Sequence, residues 1–544
     1  MRNIFKHSGI FLLLFLTLIV LGTTLMFFIH VGITRFHLII FLLLTGIVYY
    51  FVTKKKIDFK SYLKVIGISL IVIVLSTCIS TFMYDRSSDG NTYNKNAVGV
   101  LKEGFNPVYE SSKAFINDSE IDNYSIWIDH YAKANWIIEA NFYSLTNNIE
   151  SGKAINFISL YSVFIIMFSV LSKFFDSKKS LILSLISVLN PITSAQLLTY
   201  YNDQLIYLYL LLGVLMLINL DKDISDKESW FIYILSFILI TNTKFNGLGY
   251  ILVFSFLFVC RYLYKAFKSK EFNKVFKKMC IIFIPLFIVS FLVVGYPTYV
   301  KNTIDHSNPF FPLYDENGED IITLQQPKRF SKMNNVSKLF YATFSKVNNL
   351  RDSDKTTLKI PFSVSKDEII PATSNDLRIS GWGLLFSGLL IVSIGVLIVK
   401  YKDYKKENYL LYTLGITVLL LLVMSESWWA RYTPHFYFFI LIGLYILLKY
   451  NKKKWFNIMY IILILGNILV PLLGNSYYTL TNSIKINKEL RSLKDKKIVL
   501  KENNYHGLLY NLKDYDISYE IDNNIEGKEL FYHYLEYKDG DIDE

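Results

Sequence analysis

Long apolar runs alternate with short polar connections along most of the chain. Most of these runs have roughly 18 to 22 residues, the length that crosses the hydrocarbon core of a bilayer. This pattern predicts an all-α polytopic membrane protein with about thirteen transmembrane helices. The predicted spans are residues 10–29, 35–53, 62–84, 155–172, 180–199, 203–220, 229–243, 247–264, 279–297, 381–399, 408–424, 432–448 and 455–473.

The first apolar run resembles a secretory signal peptide in its polarity, because Arg2 and Lys6 precede it. The run from Ile10 to Ile29 is longer than the apolar segment of a signal peptide, and it does not end in a small-x-small cleavage pattern. We therefore expect it to be the first membrane span.

Lysine and arginine concentrate in alternate connections, which sets the expected orientation. Short loops rich in these residues stay on the cytoplasmic side of a membrane. The basic connections are residues 54–60, 173–179, 222–227, 261–278, 400–406 and 449–454. The pattern predicts a multi-pass protein of the cytoplasmic membrane, with its N-terminus inside and its C-terminus outside. The larger polar segments 85–154, 298–380 and 474–544 are then outside.

Composition agrees with a membrane protein. Of the 544 residues 52% are hydrophobic, and the formal net charge is +12. Because the basic residues separate apolar runs, their excess is explained by topology, and we expect the lipid bilayer rather than nucleic acid as a partner. Cys78, Cys260 and Cys280 lie in or beside apolar runs, and their spacing indicates neither a disulfide nor a metal site.

Two domains are expected, a transmembrane domain over residues 1–473 and a small α/β domain outside over 474–544. The tail contains a basic helix-like stretch, NSIKINKELRSLKDKK, followed by short alternating segments, KKIVL and DISYEI. In the first outer loop, NTYNKNAVGVLKEG has helical spacing, and Gly104 is the expected end of that helix.

Ionisable and aromatic side chains recur where the predicted spans meet the outer face. Charge near hydrocarbon costs several kcal/mol unless it is paired or lines a wet cavity, so such positions are candidates for function. They are Asp85, Asp89, His130, Lys133, Asp203, Lys244, Arg378, Glu426, Trp429, Arg431 and Tyr432.

Ordinary membrane roles compete with functional ones at several of these positions. Lys133 and Arg378 are typical headgroup anchors, and Trp429 and Tyr432 are typical of an aromatic belt. Asp203, in a short loop, can simply be solvated. Asp85 and Asp89 differ from these because two carboxylates directly after a span do not help it to insert.

The candidate residues together suit group transfer from a lipid phosphate. A carboxylate can take a proton from an attacking hydroxyl. Lysine and arginine can hold a phosphate whose charge grows as it leaves. We therefore assign Asp89 and Asp85 as catalytic candidates. The phosphate-binding candidates are Lys133, Lys244, Arg378 and Arg431, and the further substrate-binding candidates are His130, Asp203, Glu426, Trp429 and Tyr432.

The order of four short segments resembles the bacterial polytopic glycosyltransferases of the GT-C superfamily. These segments are D-x-S-x-D-G at residues 85–90, then GFNPVY, HYAKANW and SESWWARY. The superfamily includes protein O-mannosyltransferases and the lipid A aminoarabinose transferase. The resemblance implies a polyprenyl-phosphate-linked sugar donor, an inverting transfer and a catalytic Asp in the first long outer loop, where Asp85 and Asp89 lie. The acceptor would be an envelope glycan or glycopolymer, and a divalent cation, Mg or Mn, is compatible with this chemistry.

The chain departs from the family pattern in two ways. Two additional spans precede the first long outer loop, and Asn94 stands where related sequences often have His. Asp89 is the favoured base because it lies farther from the hydrocarbon boundary and is followed by Gly90, which lets the backbone approach a substrate closely. Asp85 would orient the loop or hold a metal.

Two other functions remain open from the sequence. A flippase or transporter of lipid-linked glycan would share the many spans, but it would be expected to carry charges midway along them or paired broken helices. A polymerase of surface polysaccharide repeat units would use a lipid diphosphate donor. The sequence does not separate one phosphate from two, and it identifies neither the sugar nor the acceptor.

Overall fold

The computed structural model describes residues 2–116, 124–313, 325–349, 356–501 and 504–539. Within these residues, a helix overlaps each of the thirteen predicted spans at least in part, and we label these helices in chain order. They are α1 (Arg2–Phe28), α2 (His37–Thr53), α3 (Phe59–Phe82), α4 (Ala154–Leu171), α5 (Ser177–Val188), α6 (Asp203–Lys222), α7 (Lys227–Thr241), α8 (Phe245–Lys268), α9 (Phe272–Phe287), α10 (Phe386–Val399), α11 (Asn408–Val423), α12 (Phe438–Tyr450) and α13 (Lys454–Leu493).

Shorter helices lie in the connections. They are Lys95–Lys102, Ser125–His130, Ala134–Thr146, Pro191–Gln196, Lys301–His306, Asn335–Phe344, Lys366–Ile369, Tyr401–Tyr404 and Leu509–Lys513. The helix predicted in the first outer loop is confirmed. It ends before Gly104, whose φ of +110° lies in the region that favours glycine.

Seven helices in the described part of the chain are long and apolar enough to cross a membrane: α1, α3, α4 with the turn before it, α6, α8, α9 with its continuation to Val294, and α13. Four shorter apolar helices correspond to α2, α10, α11 and α12 with the turn before it. The protein is therefore mostly helical, with several long apolar helices that suit a membrane. A count of thirteen spans stays a prediction.

Helix α1 contacts α2, α3, α4 and α7. Its side chains are apolar on all sides, and Leu12, Phe15 and Ile19 are fully buried. Helix α2 instead exposes apolar side chains such as Leu43 and Phe51. A contiguous exposed apolar face of this kind is typical of a lipid-facing helix.

Acidic residues cap the helices that follow the predicted inner connections. The carboxylates of Asp58, Asp176 and Asp226 accept backbone N–H groups in the first turns of α3, α5 and α7, at 2.7 to 3.0 Å. Such caps satisfy N–H groups that have no partner within the helix and place negative charge at the positive end of the helix dipole.

The predicted inner connections contact one another at one end of the bundle. The ammonium of Lys222, the last residue of α6, lies over the rings of Phe174, after α4, and Tyr409, in α11. Lys6, in α1, pairs with Glu228, in α7, at 2.7 Å. The ends of α4 and α6 thus lie beside the start of α11, and the start of α1 lies beside that of α7, as alternating directions of these helices require. The membrane face at each end remains a prediction from charge.

A four-stranded sheet forms the C-terminal part of the structure. Its strands are β1 (Lys497–Leu500), β2 (Ser518–Ile521), β3 (Lys528–Leu530) and β4 (Leu535–Asp539), in the order β2-β1-β4-β3. Strands β1 and β2 are parallel, and the other pairs are antiparallel. The segments KKIVL and DISYEI therefore form strands, as their alternation predicts.

The C-terminal core joins the sheet to the last long helix. Ile486 and Leu490, near the end of α13, pack in one cluster with Ile498 of the sheet and with Tyr84, which follows α3. The predicted domain boundary at residue 474 lies inside α13, because the basic stretch after it continues the helix without a break. The membrane region and the C-terminal sheet thus share one helix.

Candidate functional site

The chain turns sharply after α3, so that Asp85 and Asp89 point in different directions. Asp85 is fully buried, and its carboxylate accepts hydrogen bonds from the backbone N–H and hydroxyl of Ser87, both at 2.8 Å. It also accepts the backbone N–H of Tyr200 at 3.2 Å. The Ser-Ser-Asp-Gly sequence therefore forms a turn, as expected, and Asp85 holds it together.

Gly90 lies against this buried carboxylate. A Cβ atom at position 90 would lie 1.9 Å from Oδ2 of Asp85 and 2.2 Å from Oγ of Ser87. Gly90 is therefore needed for the close packing of the turn. This contact explains the glycine without the close approach of a substrate that the sequence suggested.

A buried ionic group stands behind the turn. The carboxylate of Glu150 pairs with the ammonium groups of Lys95 and Lys153, both at 2.5 Å, and accepts the backbone N–H of Asp85 at 3.1 Å. All three of these side chains are fully buried. Burial raises the pKa of Asp85 in spite of the same lysines. Of the two roles expected for Asp85, this environment favours orienting the loop.

Asp89 instead reaches a second group of charges. Its Oδ2 accepts hydrogen bonds from both terminal nitrogens of Arg431, each at 3.1 Å. The side chain of Asp89 keeps 29% of its surface exposed. Among the described contacts, no hydrogen bond reaches its other oxygen, Oδ1. Asp89 is thus the more accessible of the two carboxylates.

Arg431 also faces two further carboxylates. Its Nε lies 3.8 Å from Oδ2 of Asp203 and 3.5 Å from Oδ1 of Asp376. Asp203, at the first residue of α6, is fully buried and pairs with Lys244 at 2.9 Å. Asp376 pairs with Arg378 at 2.9 Å. We call Asp89, Asp203, Lys244, Asp376, Arg378 and Arg431 the Arg431 cluster.

The formal charges of the Arg431 cluster cancel, since it contains three carboxylates and three cations. Each cation also lies over an aromatic ring. Arg431 is 4.8 Å and Arg378 4.5 Å from the ring centre of Trp429, and Lys244 is 4.6 Å from that of Tyr432. These contacts hold cations in place beside a partly desolvated site.

Trp429 is buried, with 1% of its surface exposed. It therefore does not belong to a lipid-facing aromatic belt. In the structure both arginines of the cluster pack against its ring.

Backbone pairing aligns the two segments that carry the arginines. The N–H of Ala430 donates to the carbonyl of Arg378 at 3.2 Å, and the N–H of Arg431 donates to the carbonyl of Leu377 at 3.1 Å. Together with the turn at Asp89, the start of α6 and the connection at Lys244, these segments bring five separate parts of the chain to one place.

Lys133 lies apart from the cluster. Its ammonium donates to the backbone carbonyls of Asp129 and Tyr131, at 2.7 and 2.8 Å, and to that of Pro297 at 3.4 Å. Burial lowers its pKa to about 7. This geometry favours a structural role, and the assignment of Lys133 to phosphate binding gains no support from it.

Two predicted substrate-binding residues also lie outside the Arg431 cluster. The Nδ1 atom of His130 is 2.8 Å from the side-chain oxygen of Asn302, and the ring packs against His306 and Phe311. The carboxylate of Glu426 accepts a hydrogen bond from the hydroxyl of the neighbouring Ser425. These contacts leave their predicted role untested.

Sequence reasoning missed one member of the cluster, Asp376. It lies two residues before Arg378 in the segment NDLRISG. An acidic residue beside an arginine in a polar loop is too common to stand out, and only the fold brings it to Arg431. Asp376 is therefore identified by its position next to Arg431 in the fold and not by the local sequence.

The cluster does not suit a divalent cation. Each of its three carboxylates already contacts a lysine or an arginine, so the donor set carries no net negative charge for a metal ion. In the part of the chain that the structure describes, no group of three or more His, Cys, Asp or Glu side chains is arranged to hold a metal. The sequence expectation of Mg or Mn finds no support in these residues.

Comparison with known proteins adds no relative. No family model matches the chain, and no curated protein matches it. The resemblance to GT-C enzymes therefore rests on the short segments of the sequence.

Proposed function

We propose that the protein is a GT-C-type glycosyltransferase that moves a sugar from a polyprenyl-phosphate carrier to an envelope glycan or glycopolymer on the outer face. One observation carries the proposal. Asp89, a partly exposed carboxylate with an accessible oxygen, lies in one cluster with Lys244, Arg378 and Arg431 at the end of a set of apolar helices.

In this proposal Asp89 is the general base. Its Oδ1 takes the proton of the acceptor hydroxyl as that oxygen forms a bond to the anomeric carbon. The bond from the anomeric carbon to the phosphate oxygen breaks, and the phosphate leaves with the electron pair. Attack from the side opposite the phosphate inverts the configuration.

The cations of the cluster would bind the leaving phosphate. Arginine contacts phosphate through several N–H groups in a fixed fork, and lysine contributes a point charge. A phosphate that replaces Asp89 on the terminal nitrogens of Arg431 would free the second oxygen of that carboxylate. Donor binding would then prepare the base for the acceptor. In this proposal Arg431 holds Asp89 only until the donor phosphate binds.

The charges of this cluster also bear on the transporter alternative. They gather at one end of the helices, where the turn at Asp89 meets the first residue of α6. A carrier of lipid-linked glycan would be expected to present charges midway along its spans. The geometry favours chemistry at the membrane surface.

Mass spectrometry of envelope glycans from cells with and without the gene tests the proposal. We expect the deletion to remove one sugar from a glycan while the lipid-linked donor accumulates. Loss of a whole polymer would favour the repeat-unit polymerase. An unchanged glycan would contradict glycosyl transfer.

A further inference from the structure

A narrow apolar cavity lies at the end of the bundle opposite to the Arg431 cluster. Its volume is about 100 Å³, and side chains of α4, α5, α6, α11 and α12 line it. Leu211, Val214, Leu215 and Ile218 form its wall on α6. Apolar cavities of this order stay free of water and accept hydrocarbon.

The rim of this cavity carries a cation. Lys222, the last residue of α6, lies over the rings of Phe174 and Tyr409, at 4.2 and 4.7 Å from their centres. All three residues belong to the lining, and both Lys222 and Phe174 are exposed. An apolar interior with a cation at its mouth is complementary to an amphiphile that has an anionic head.

The neighbouring acidic groups are already engaged. Asp221 pairs with Arg261 and Lys265, at 2.9 and 2.7 Å. Glu407 pairs with Lys449 at 2.8 Å and accepts the hydroxyl of Tyr445 at 2.8 Å. Glu407 also attracts Lys222 electrostatically, but none of the ion pairs in the described part of the chain includes Lys222. Its charge is therefore available to an external anion.

The dimensions fit one leaflet of a bilayer. From Leu211 to Lys222, α6 rises about 16 Å, which is roughly half of a 30 Å hydrocarbon core. We propose that this cavity is a binding site for an anionic phospholipid, with part of one acyl chain between α6 and α12 and the phosphate at Lys222. Basic pockets between membrane helices on the cytoplasmic side bind anionic headgroups in this manner. The site is separate from the proposed sugar transfer.

Native mass spectrometry of the purified full-length protein tests this site. Dioleoyl phosphatidylglycerol and dioleoyl phosphatidylcholine would be titrated separately, since they share acyl chains and differ in net charge. We expect the anionic lipid to bind more tightly, and Lys222→Gln to weaken it about fivefold, as befits one lysine near a headgroup. Lys277→Gln, which removes an exposed lysine of α9 outside the cavity lining, should bind as the wild type does.

Two results would overturn the site. Equal binding of the two lipids, or unchanged binding by Lys222→Gln, would show that Lys222 does not select the headgroup. Displacement of the lipid by millimolar glycerol phosphate would show that the anion alone is bound and that the acyl chain contributes nothing. Activity of the Arg431 cluster plays no part in this readout, so failure here leaves the proposed function untouched.

Discussion

At the scale of single residues, Asp85 and Asp89 show how two equal side chains four positions apart acquire different surroundings. Asp85 is enclosed by N–H groups and by the ionic group of Glu150, whereas Asp89 pairs with an arginine beside an accessible space. The divergence follows from the turn, and local sequence predicts that turn. The partner of each carboxylate is distant in sequence, and local sequence carries no signal for it.

Replacing Asp85 should mainly affect stability. In Asp85→Asn, one carboxylate oxygen becomes an NH₂ group that faces hydrogen-bond donors, at a cost of about 1 to 3 kcal/mol. We expect a lower midpoint of thermal unfolding in detergent and a milder loss of transfer than at Asp89. Wild-type stability together with abolished transfer would reverse the roles of the two residues.

Replacing a cation of the Arg431 cluster should affect donor use. Lys244→Gln removes the partner of Asp203. We expect the free energy of donor binding or of the transition state to become less favourable by about 1.5 to 3 kcal/mol, the scale of a charge-assisted hydrogen bond. The transfer rate measured at increasing donor concentrations shows this loss. Arg329→Gln, an exposed arginine outside the cluster, is the matched control. Normal donor use by Lys244→Gln, Arg378→Gln and Arg431→Gln alike would place the phosphate elsewhere.

At the scale of elements, patterns confined to one segment predict structure well. The helix that ends before Gly104 and the strands KKIVL and DISYEI follow from local spacing and alternation. Such local patterns do not predict that the C-terminal part packs against the first outer loop. Asp514 accepts the hydroxyl of Tyr143 and the N–H of Ile149, both at 2.7 Å, more than 300 residues away in sequence. Contacts of this kind depend on tertiary packing alone.

This docking should depend on pH. Burial raises the pKa of Asp514 from about 3.8 to about 7. Because the folded state then holds a proton that the unfolded state has lost, the stabilisation is complete below about pH 4 and is lost as the pH rises through about 7. We expect proteolysis of the tail to accelerate from pH 5 to pH 8, and Asp514→Asn to flatten this slope whatever its absolute stability. The same slope in the variant would assign the effect to another group.

At the scale of the whole molecule, the alternation of apolar runs and basic connections predicts the helices and their alternating direction. It does not predict the Arg431 cluster, in which Asp89 and Arg431 are 342 residues apart. The sequence placed Asp89, Asp203, Lys244, Arg378 and Arg431 at the same face, and the fold brings them into contact. The charge pattern therefore predicts that these residues lie at one end of the helices, but it does not predict the distances between them.

The orientation can be tested by labelling intact cells with an impermeant thiol reagent. In a variant without Cys78, Cys260 and Cys280, cysteines introduced at Ser88 and Ser518 should react, because the charge pattern places both outside. A cysteine at Ser269, in a basic connection, should react only after the membrane is opened. Labelling at Ser269 alone would invert the topology and remove the outer-face chemistry.

The central claim is that Asp89 acts as the base of a glycosyl transfer. Its most direct test is mass spectrometry of envelope glycans from deletion cells that express either wild-type protein or Asp89→Asn at equal levels. Asparagine keeps the size of the side chain and removes the basic oxygen. We predict that wild type restores the missing sugar, and that the variant is folded and membrane-inserted but restores almost none. Restoration by Asp89→Asn to near the wild-type level would contradict the mechanism.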